Sequence, residues 1–395
     1  MSEVYLVEAL RTPLGSFGGA LSDVEAPRLA ATVMKEILQR TGLPADAVDE
    51  VIVGQVLSGG SGQAPARQAL RYAGLPDNVP ALTINKVCGS GLKAIMLGAG
   101  SIRLGDADIV LAGGMENMSL APYALSKGRY GYRMGNAEML DLLVHDGLID
   151  PYSGSHMGVI AEASAEKNGI SRSTQDTYAL ASYMKAQAAQ TDGVFADEIV
   201  PVTKKGRGGE VVVKDDEEPF KVDFKKLPEL RAAFKKEGTI TAGNASTIND
   251  GAGMTLLASA AAVKKHGLKP KARLVAYATN SVHPDDFTEA PVGAIEKACA
   301  KAGLSVADID LFEINEAFAM VPLIAFKKLG IDPEKVNVNG GAVAIGHPLG
   351  ASGARITATL VRELKKRKAR YGLATLCIGG GEAVAVILES VQEAI

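Results

Sequence analysis

One arrangement of segments occurs twice in the sequence, and this repeat limits the folds that the chain can adopt. Residues 42–55, GLPADAVDEVIVGQ, resemble residues 303–316, GLSVADIDLFEINE. Two more pairs of similar segments follow in the same order, namely 81–100 with 336–356 and 106–117 with 372–383. Each set has the pattern of an apolar strand, a glycine-rich turn with a helix, and a buried strand that runs into glycines. The repeat indicates a duplicated α/β unit with mixed or parallel sheets covered by helices.

The two repeated units flank a segment of different composition. Residues 119–245 begin with a turn-rich stretch, continue with a helical pattern and become lysine-rich from Lys204 to Lys236. Ser171 is expected to cap the helix of this segment, with Asp176 in the first turn. We therefore predict three parts: an N-terminal half formed by 1–118 with 246–268, an inserted loop domain at 119–245, and a C-terminal half at 269–395.

The composition excludes several classes of protein. The chain has 395 residues, 47% hydrophobic and 22% charged, with a formal net charge of -3, which is typical of a globular protein without a nucleic-acid partner. The N-terminus has neither a basic region nor a long hydrophobic stretch, so we predict a first strand, a cytoplasmic location and no membrane association. The three cysteines are too few for a disulfide framework, and no spacing predicts a metal site.

Cys88 has the surroundings of a nucleophile. It lies between the apolar segment 81–87 and a helical pattern, and Gly89 and Gly91 permit a sharp turn. A thiol at a helix N-terminus meets the positive end of the helix dipole, which favours the thiolate, and the N–H groups there can hold an oxyanion. A packed cysteine at a strand end is the alternative.

A histidine and a second cysteine occupy comparable turns. His347 lies among glycines and before Pro348, so a helix is expected to begin only near Ser352. Such a histidine can activate a cysteine thiol, although a structural role explains its position as well. Cys377 lies in TLCIGGGEAVAV, which has the pattern of a hairpin, where it is either an acid–base group or a buried strand cysteine.

A fourth strand end carries Asn315 and Glu316, which either cap the following helix or contribute to a site. Cys299, by contrast, lies in the helical run IEKACAKAG and is expected to be a buried core residue. Ligands in open α/β sheets collect beyond the carboxyl ends of the strands. We therefore expect Asn315 to share one site with Cys88, His347 and Cys377.

These segments resemble the thiolase family over essentially the whole chain. The resemblance rests on EALRTPLGSFGG, NKVCGSGLKA, AGGMENMS, TAGNASTINDGA, INEAFA, NGGAVAIGHPLGASGAR and CIGGGEA, which follow one another in thiolase order. It implies two duplicated α/β halves with mixed five-stranded sheets in layered α/β/α/β/α packing, plus the inserted loop domain. It also implies an acetyl-CoA acetyltransferase of the biosynthetic, short-chain branch, which joins two acetyl-CoA into acetoacetyl-CoA and CoA.

The resemblance assigns roles to five residues. Cys88 would accept the acyl group, and His347 would activate Cys88 and help to bind a thioester oxygen. Cys377 would move the proton of the α-carbon, and Asn315 would hold a water in the first oxyanion hole. The N–H groups of Cys88 and Gly379 would form the second hole. An acyl-enzyme splits the reaction into two steps, and donors fixed beforehand stabilise the enolate.

The resemblance also assigns coenzyme A binding to the insert. Coenzyme A and acetyl-CoA would be substrates, with no permanently bound cofactor and no metal. The lysine-rich run would face the nucleotide phosphates, although a solvated charged surface explains it equally well. The contacts with the pantetheine arm would come from Leu148, His156, Met157, Phe234, Ala242, Ser246 and Phe318.

Two departures and several alternatives stay open. Glu382 and Ala383 stand in a loop where the family has CIGGGxGxA, and Phe220 or Lys221 stands near a position where relatives carry an arginine. A degradative 3-ketoacyl-CoA thiolase of broader chain length is the nearest alternative, and Met157 and His156 count against it. A ketoacyl synthase lacks the terminal cysteine, and a non-catalytic acyl-CoA-binding protein remains a further alternative.

Assembly and redox behaviour follow from the resemblance alone. Short-chain thiolases are usually tetramers built from tight dimers, and the stretch 119–140 resembles their tetramer-contacting loop, so a homotetramer is expected. A disulfide between Cys88 and Cys377 would block catalysis. Activity is therefore expected to fall with oxidants and to return with thiol reductants.

Overall fold

A computed structural model describes residues 2–206 and 208–391. The described residues form strands that alternate with helices in both halves of the chain, as the repeat predicts. The strands are β1 (Val4–Arg11), β2 (Gly15–Ser16), β3 (Glu50–Gly54), β4 (Ala81–Ile84), β5 (Ile109–Asn117), β6 (Tyr123–Ala124), β7 (Leu140–Asp141), β8 (Val202–Gly206), β9 (Gly209–Val213), β10 (Asn249–Ser259), β11 (Ala272–Ser281), β12 (Leu311–Ile314), β13 (Tyr371–Ile378) and β14 (Glu382–Ser390).

The two ends of the helices are stabilised differently: side chains cap only some of the starts, whereas glycines follow most of the ends. Most of them end at a glycine in the left-handed region, such as Gly42 after the first helix and Gly105 after the third. The helices are α1 (Ala26–Thr41), α2 (Pro65–Ala73), α3 (Ser90–Leu104), α4 (Leu142–Gly147), α5 (Met157–Asn168), α6 (Arg172–Thr191), α7 (Ala260–His266), α8 (Ala290–Ala302), α9 (Met320–Leu329), α10 (Ala342–Ile345) and α11 (Ser352–Arg367).

The main sheet has the order β12–β13–β14–β11–β1–β10–β5–β3–β4, with β2 beside β10. The N-terminal half contributes five strands of this path, namely β1, β10, β5, β3 and β4. The C-terminal half differs from the expected five strands: it contributes four, and a single bridge between Phe312 and Val336 stands in place of a fifth. The two halves meet along β1 and β11, where only Tyr5 with Arg273 and Leu6 with Ala272 are paired. A short join of this kind lets the two parts of the sheet face different directions.

The predicted α/β/α/β/α layers are confirmed. Helices α3 and α11 lie between the two parts of the sheet, in a core that includes Leu92 and Leu360. Helices α1 and α2 cover the outer face of the N-terminal strands, and α8 and α9 cover the outer face of the C-terminal strands. Side chains alternate between layers along each strand: Val110 packs in the central core and Leu111 in the outer one.

Residues 119–245 contain the short strands β6 to β9 and the helices α4 to α6, after which β10 returns to the main sheet between β1 and β5. Ser171 caps α6, as predicted, because its hydroxyl accepts the N–H of Thr174. The prediction of Asp176 in the first turn is wrong, because Asp176 is the fifth residue of the helix and pairs there with Arg172. Cys299 is buried within α8, also as predicted. The boundaries of the three predicted parts stay a prediction.

The N-terminal ends of the two central helices approach each other through glycines. A Cβ atom on Gly91 of α3 would lie 2.7 Å from the carbonyl oxygen of Gly350, and one on Gly353 of α11 would lie 2.2 Å from the amide nitrogen of Leu92. A Cβ atom on Gly114 of β5 would lie 1.9 Å from the same Gly350 oxygen. Only glycine permits this spacing, and it places the turn before α3 beside the turn before α11.

Replacing Gly114 with alanine tests this contact. The added methyl group has no space, so we expect the urea midpoint of Gly114→Ala to fall by the equivalent of about 1–3 kcal/mol. Gly208→Ala is the control, because a Cβ built on Gly208 has no atom within 4 Å among the described residues other than its chain neighbours. Equal midpoints for both variants would show that the close approach is not a constraint on the fold.

Candidate active site

Most of the residues singled out in the sequence line one apolar cavity of about 240 Å³. The inserted segment and both halves of the chain contribute to its walls. Cys88, His347, Cys377 and Gly379 lie on it, and so do six of the seven positions assigned to coenzyme A: Leu148, His156, Met157, Phe234, Ser246 and Phe318. The seventh, Ala242, is exposed and outside the lining, where Ala245 is found instead.

The turn that carries Cys88 is held by local hydrogen bonds. Val87 has a φ of 45°, in the left-handed region that a β-branched residue rarely adopts. Its N–H donates to Asn85 Oδ1, and the N–H of Lys86 donates to Ser90 Oγ at 2.8 Å. Because α3 begins at Ser90, the thiol of Cys88 lies at the N-terminus of this helix, as predicted.

Burial decides the protonation state of Cys88. The sequence position favours the thiolate, but the surrounding protein raises the pKa of the thiol to about 11, and the N–H of Gly379 opposes this shift only in part. Burial therefore outweighs the preference for the thiolate that the helix dipole gives. The thiol needs a base within the cavity in order to react.

His347 has the properties of that base. It is 4% exposed, and burial together with the charge of Arg355 lowers the pKa of its imidazole to about 3. Its Nδ1 lies 2.6 Å from Ser352 Oγ, which donates its own hydrogen to the carbonyl of Pro348. Ser352 must then accept the hydrogen of Nδ1, so that Nε2 carries the free lone pair. Helix α11 begins at Ser352, as predicted.

The side chain of Asn315 faces the same imidazole. Its Nδ2 lies 3.5 Å from Nε2 of His347, a long contact, and its Oδ1 accepts a hydrogen bond from Arg355 Nη2 at 3.3 Å. The guanidinium therefore fixes which end of the amide points to the histidine. Arg355 is itself buried, with Glu313 at 3.7 Å. The role of Arg355 was not predicted from the sequence, although this residue ends the motif GHPLGASGAR that contains His347.

Glu316, the residue after Asn315, neither caps the following helix nor lines the cavity. Helix α9 begins only at Met320 with Ala319 as its N-cap, so neither Asn315 nor Glu316 caps it. The carboxylate of Glu316 accepts hydrogen bonds from residues outside the cavity and holds the segment before His347. Its donors are Tyr178, Ser182, Asn337 and the backbone N–H of Val343.

Cys377 lies at the end of β13 in the predicted hairpin, where Ile378 pairs with Glu382. It is buried, and both burial and the neighbouring Cys88 raise the pKa of its thiol. Both cysteines line the same cavity. Both are free thiols, and a regulatory disulfide between them stays a prediction.

Aromatic packing shapes the part of the cavity that the insert provides. His156 stacks on Phe234 with ring centroids 4.8 Å apart, and Phe234 meets Phe318 edge to face. The Nδ1 of His156 accepts the N–H of Gly158 and so caps α5. These contacts fix a narrow apolar wall, which suits an extended, uncharged arm of a ligand.

Two further polar residues hold the loops of the site. Asn249 Oδ1 accepts the backbone N–H of His347 at 3.0 Å. Glu116 accepts N–H groups from Val56, Leu57 and Gly350, and burial raises the pKa of its carboxyl to about 7. The sequence analysis quoted the motifs that contain both residues but assigned them no role.

Residues 2–206 and 208–391 contain neither a candidate metal site nor a candidate membrane-spanning helix. No group of three histidine, cysteine, aspartate or glutamate side chains has an arrangement that could hold a metal ion. No helix in these ranges has the length and apolar character needed to cross a membrane.

Two family models describe the sequence. The model "Thiolase, N-terminal domain" matches residues 4–261, and the model "Thiolase, C-terminal domain" matches residues 268–390. The chain belongs to the thiolase family. The resemblance inferred from the motifs is therefore confirmed, and so is the thiolase-like fold.

Named thiolases resemble the chain over its full length. It is 53% identical to an acetyl-CoA acetyltransferase of Chromobacterium violaceum and 52% identical to one of Pseudomonas aeruginosa, each over 98% of this chain and 99% of the relative. A probable acetyl-CoA acyltransferase of Staphylococcus aureus is 51% identical over the same shares. The crystal structure of the Bacillus anthracis acetyl-CoA acetyltransferase superposes with a TM-score of 0.97 at 44% identity and covers 99% of both chains.

The lowered pKa of His347 predicts how the stability of this thiolase depends on pH. Below pH 6.5 the unfolded chain protonates this histidine and the folded chain does not, until the pH approaches 3. The titration of His347 therefore leaves the unfolding free energy unaffected above pH 6.5, and it lowers that free energy as the pH falls from 6.5 toward 3. In His347→Gln we expect a shallower fall of the unfolding free energy across this window, by up to about 1.4 kcal/mol per pH unit.

Denaturant unfolding at a series of pH values measures the difference. His145→Gln is the control, because this side chain is exposed, and its profile should follow that of the parent. Parallel profiles for the parent and His347→Gln would contradict a neutral, buried histidine.

Proposed function

We propose that the chain is an acetyl-CoA C-acetyltransferase, an acyltransferase that condenses two acetyl-CoA reversibly into acetoacetyl-CoA and CoA. The observation that carries the proposal is the meeting of two thiols and a neutral imidazole in one apolar cavity. The acetyl-CoA acetyltransferases of Chromobacterium violaceum and Pseudomonas aeruginosa, 53% and 52% identical to the chain, support it. Coenzyme A and its acetyl ester act as substrates, and no permanently bound cofactor is required.

In the first half-reaction, Cys88 accepts the acetyl group. Nε2 of His347 takes the proton of the Cys88 thiol as its sulfur attacks the thioester carbonyl. The N–H groups of Cys88 and Gly379 stabilise the oxyanion that forms. The leaving CoA thiolate takes the proton of Cys377, so that CoA departs as a thiol. The enzyme is left with an acetyl-cysteine, an imidazolium and a Cys377 thiolate.

In the second half-reaction, Cys377 acts as the base. Its thiolate removes a proton from the α-carbon of the second acetyl-CoA, and the enolate oxygen is stabilised by Nε2–H of His347 beside Asn315. The enolate carbon attacks the acetyl group on Cys88 and forms the new carbon–carbon bond. Cys88 leaves as a thiolate and recovers its proton from His347, which restores the resting state.

The raised and lowered pKa values fit this sequence of steps. Burial keeps both thiols protonated and His347 neutral before a substrate reacts. The imidazolium and the Cys377 thiolate are formed together, and the developing charge on substrate oxygen is then opposed by fixed donors. The reactive thiolate is thus present for only part of the cycle.

The insert is proposed to bind coenzyme A. The pantetheine arm lies along the wall formed by Met157, Phe234 and Phe318, with Leu148, His156 and Ser246 beside it. Ala242 lies outside this lining and remains a proposed contact. The lysine-rich segment 204–236 faces the nucleotide phosphates. Four of its lysines form ion pairs with carboxylates of the protein, namely Lys204, Lys221, Lys226 and Lys235.

Assembly, location and metabolic role are also proposals. Exposed apolar side chains in the stretch 119–140, among them Tyr130, Met134 and Met139, support a homotetramer built as a dimer of dimers. We propose a cytoplasmic enzyme of fatty acid metabolism, and the net charge of -3 supports the absence of nucleic-acid partners. A broader 3-ketoacyl-CoA thiolase is distinguished by rates over a series of chain lengths.

Thiolysis of acetoacetyl-CoA by free CoA tests the proposal. We expect turnover by the parent protein and a loss of at least about 100-fold in both Cys88→Ala and Cys377→Ala, because each thiol is needed in a different step. Cys299→Ala is the control and should retain activity, since this thiol is buried in α8 away from the cavity. An inactive parent that still binds CoA would favour a non-catalytic acyl-CoA-binding protein.

A further inference from the structure

Glu382 stands where the sequence departs from the family motif, and the proposed reaction gives it no role. It is the first residue of β14, and its Oε2 forms an ion pair with Lys86 Nζ at 2.6 Å. Its Oε1 accepts a hydrogen bond from Ser281 Oγ at 3.2 Å. The pair joins residues that are 296 positions apart, so it ties the N-terminal half of the chain to the C-terminal half.

The two ends of this ion pair lie on the two loops that supply the second oxyanion hole. Lys86 lies two residues before Cys88, and its carbonyl accepts the N–H of Gly89 within the same turn. Glu382 follows Gly379 by three residues across the hairpin turn. The pair therefore spans the segments whose N–H groups, on Cys88 and Gly379, must meet at one oxygen atom.

Both loops have backbone conformations that need support. Val87 has a φ of 45°, and Gly380 and Gly381 have φ values of 89° and 85°. The loops pack closely, since a Cβ atom on Gly89 would lie 2.4 Å from Cδ1 of Ile378. Packing between apolar groups carries little directional information, whereas a short ion pair limits both distance and orientation.

The charges around the pair also favour a positioning role. Lys93, in the first turn of α3, is partly buried; burial and the charge of Lys86 lower its pKa, and Glu382 opposes that shift. Glu382 therefore offsets the repulsion between two lysines beside the Cys88 turn. The side chains of Lys86 and Glu382 are 20% and 33% exposed, so screening by solvent limits what the pair contributes to global stability.

We propose that the ion pair between Lys86 and Glu382 is a positioning element that fixes the spacing between the N–H donors of Cys88 and Gly379. The proposal rests on the proposed function for its kinetic consequence. Its structural consequence is independent of turnover: the N–H of Gly379 stabilises the Cys88 thiolate, so a displaced hairpin lowers the thiolate fraction at a given pH.

The first test is kinetic. For Lys86→Met and Glu382→Gln we expect kcat for thiolysis of acetoacetyl-CoA to fall about three- to tenfold, with KM changed less than twofold, because the oxyanion donors act on the transition state. The reversed pair, Lys86→Glu with Glu382→Lys, should recover at least half of the lost rate. Glu36→Gln is the control: it breaks an ion pair of similar length and exposure with Arg40 on α1.

The second test does not require catalysis. In the double variant Lys86→Met with Glu382→Gln, which keeps the net charge of the parent, we expect iodoacetamide at pH 8 to alkylate Cys88 about threefold more slowly. The rate is measured by peptide mass spectrometry. The parent rate should return in the reversed pair and be unchanged in Glu36→Gln.

The outcomes separate the two proposals. An unchanged alkylation rate in the double variant overturns the positioning role, whether or not the parent turns over acetoacetyl-CoA. A slower rate in that variant, with an inactive parent, supports the positioning role and counts against the proposed function. A kcat loss that the reversed pair fails to restore overturns the role of the charge pair.

Discussion

The close approach of the two central helices at their N-termini is the contact on which the site depends. Glycines at 91, 114, 350 and 353 remove the side chains that would keep α3, β5 and α11 apart. The turns before these helices carry Cys88 and His347, so the contact brings a thiol and an imidazole from the two halves of the chain into one cavity. The duplication explains the geometry, since equivalent helices of two similar units meet between their sheets.

Burial at this meeting point sets the chemistry. The same enclosure raises the pKa values of both thiols and lowers that of His347, so these three groups carry no net charge before acyl transfer. Desolvation destabilises an isolated charge more than a pair of opposite charges that form together. The attack of Cys88 on a bound thioester forms such a pair, the imidazolium of His347 and the thiolate of Cys377. The polar residues behind them, Ser352 and Arg355, fix the tautomer of the imidazole and the amide that faces it.

Local patterns in the sequence predicted strands that alternate with helices, and the strand ends predicted a shared position for Cys88, His347 and Cys377. The layered packing and the coenzyme A contacts were implied by the resemblance to the thiolase family. The sequence did not predict properties that depend on contacts distant in the chain, such as the burial that raises the pKa of Cys88 against the effect of the helix dipole. Arg355 acts on Asn315 across 40 positions, and Lys86 meets Glu382 across 296. The second half has four strands in the main sheet where five were expected, since Val336 forms only a single bridge to Phe312 at the position of the fifth.

The site of acyl transfer is the central claim, and trapping the acyl-enzyme tests it most directly. The Cys377→Ala variant retains Cys88 and His347 but lacks the base that forms the enolate, so acetyl-CoA should acetylate it without condensation. Peptide mass spectrometry after brief incubation with acetyl-CoA should find the acetyl group on Cys88, in the parent and in this variant, and should find none on Cys299. An acetyl group on Cys377 in the parent, or an unmodified Cys88 in both proteins, would contradict the account.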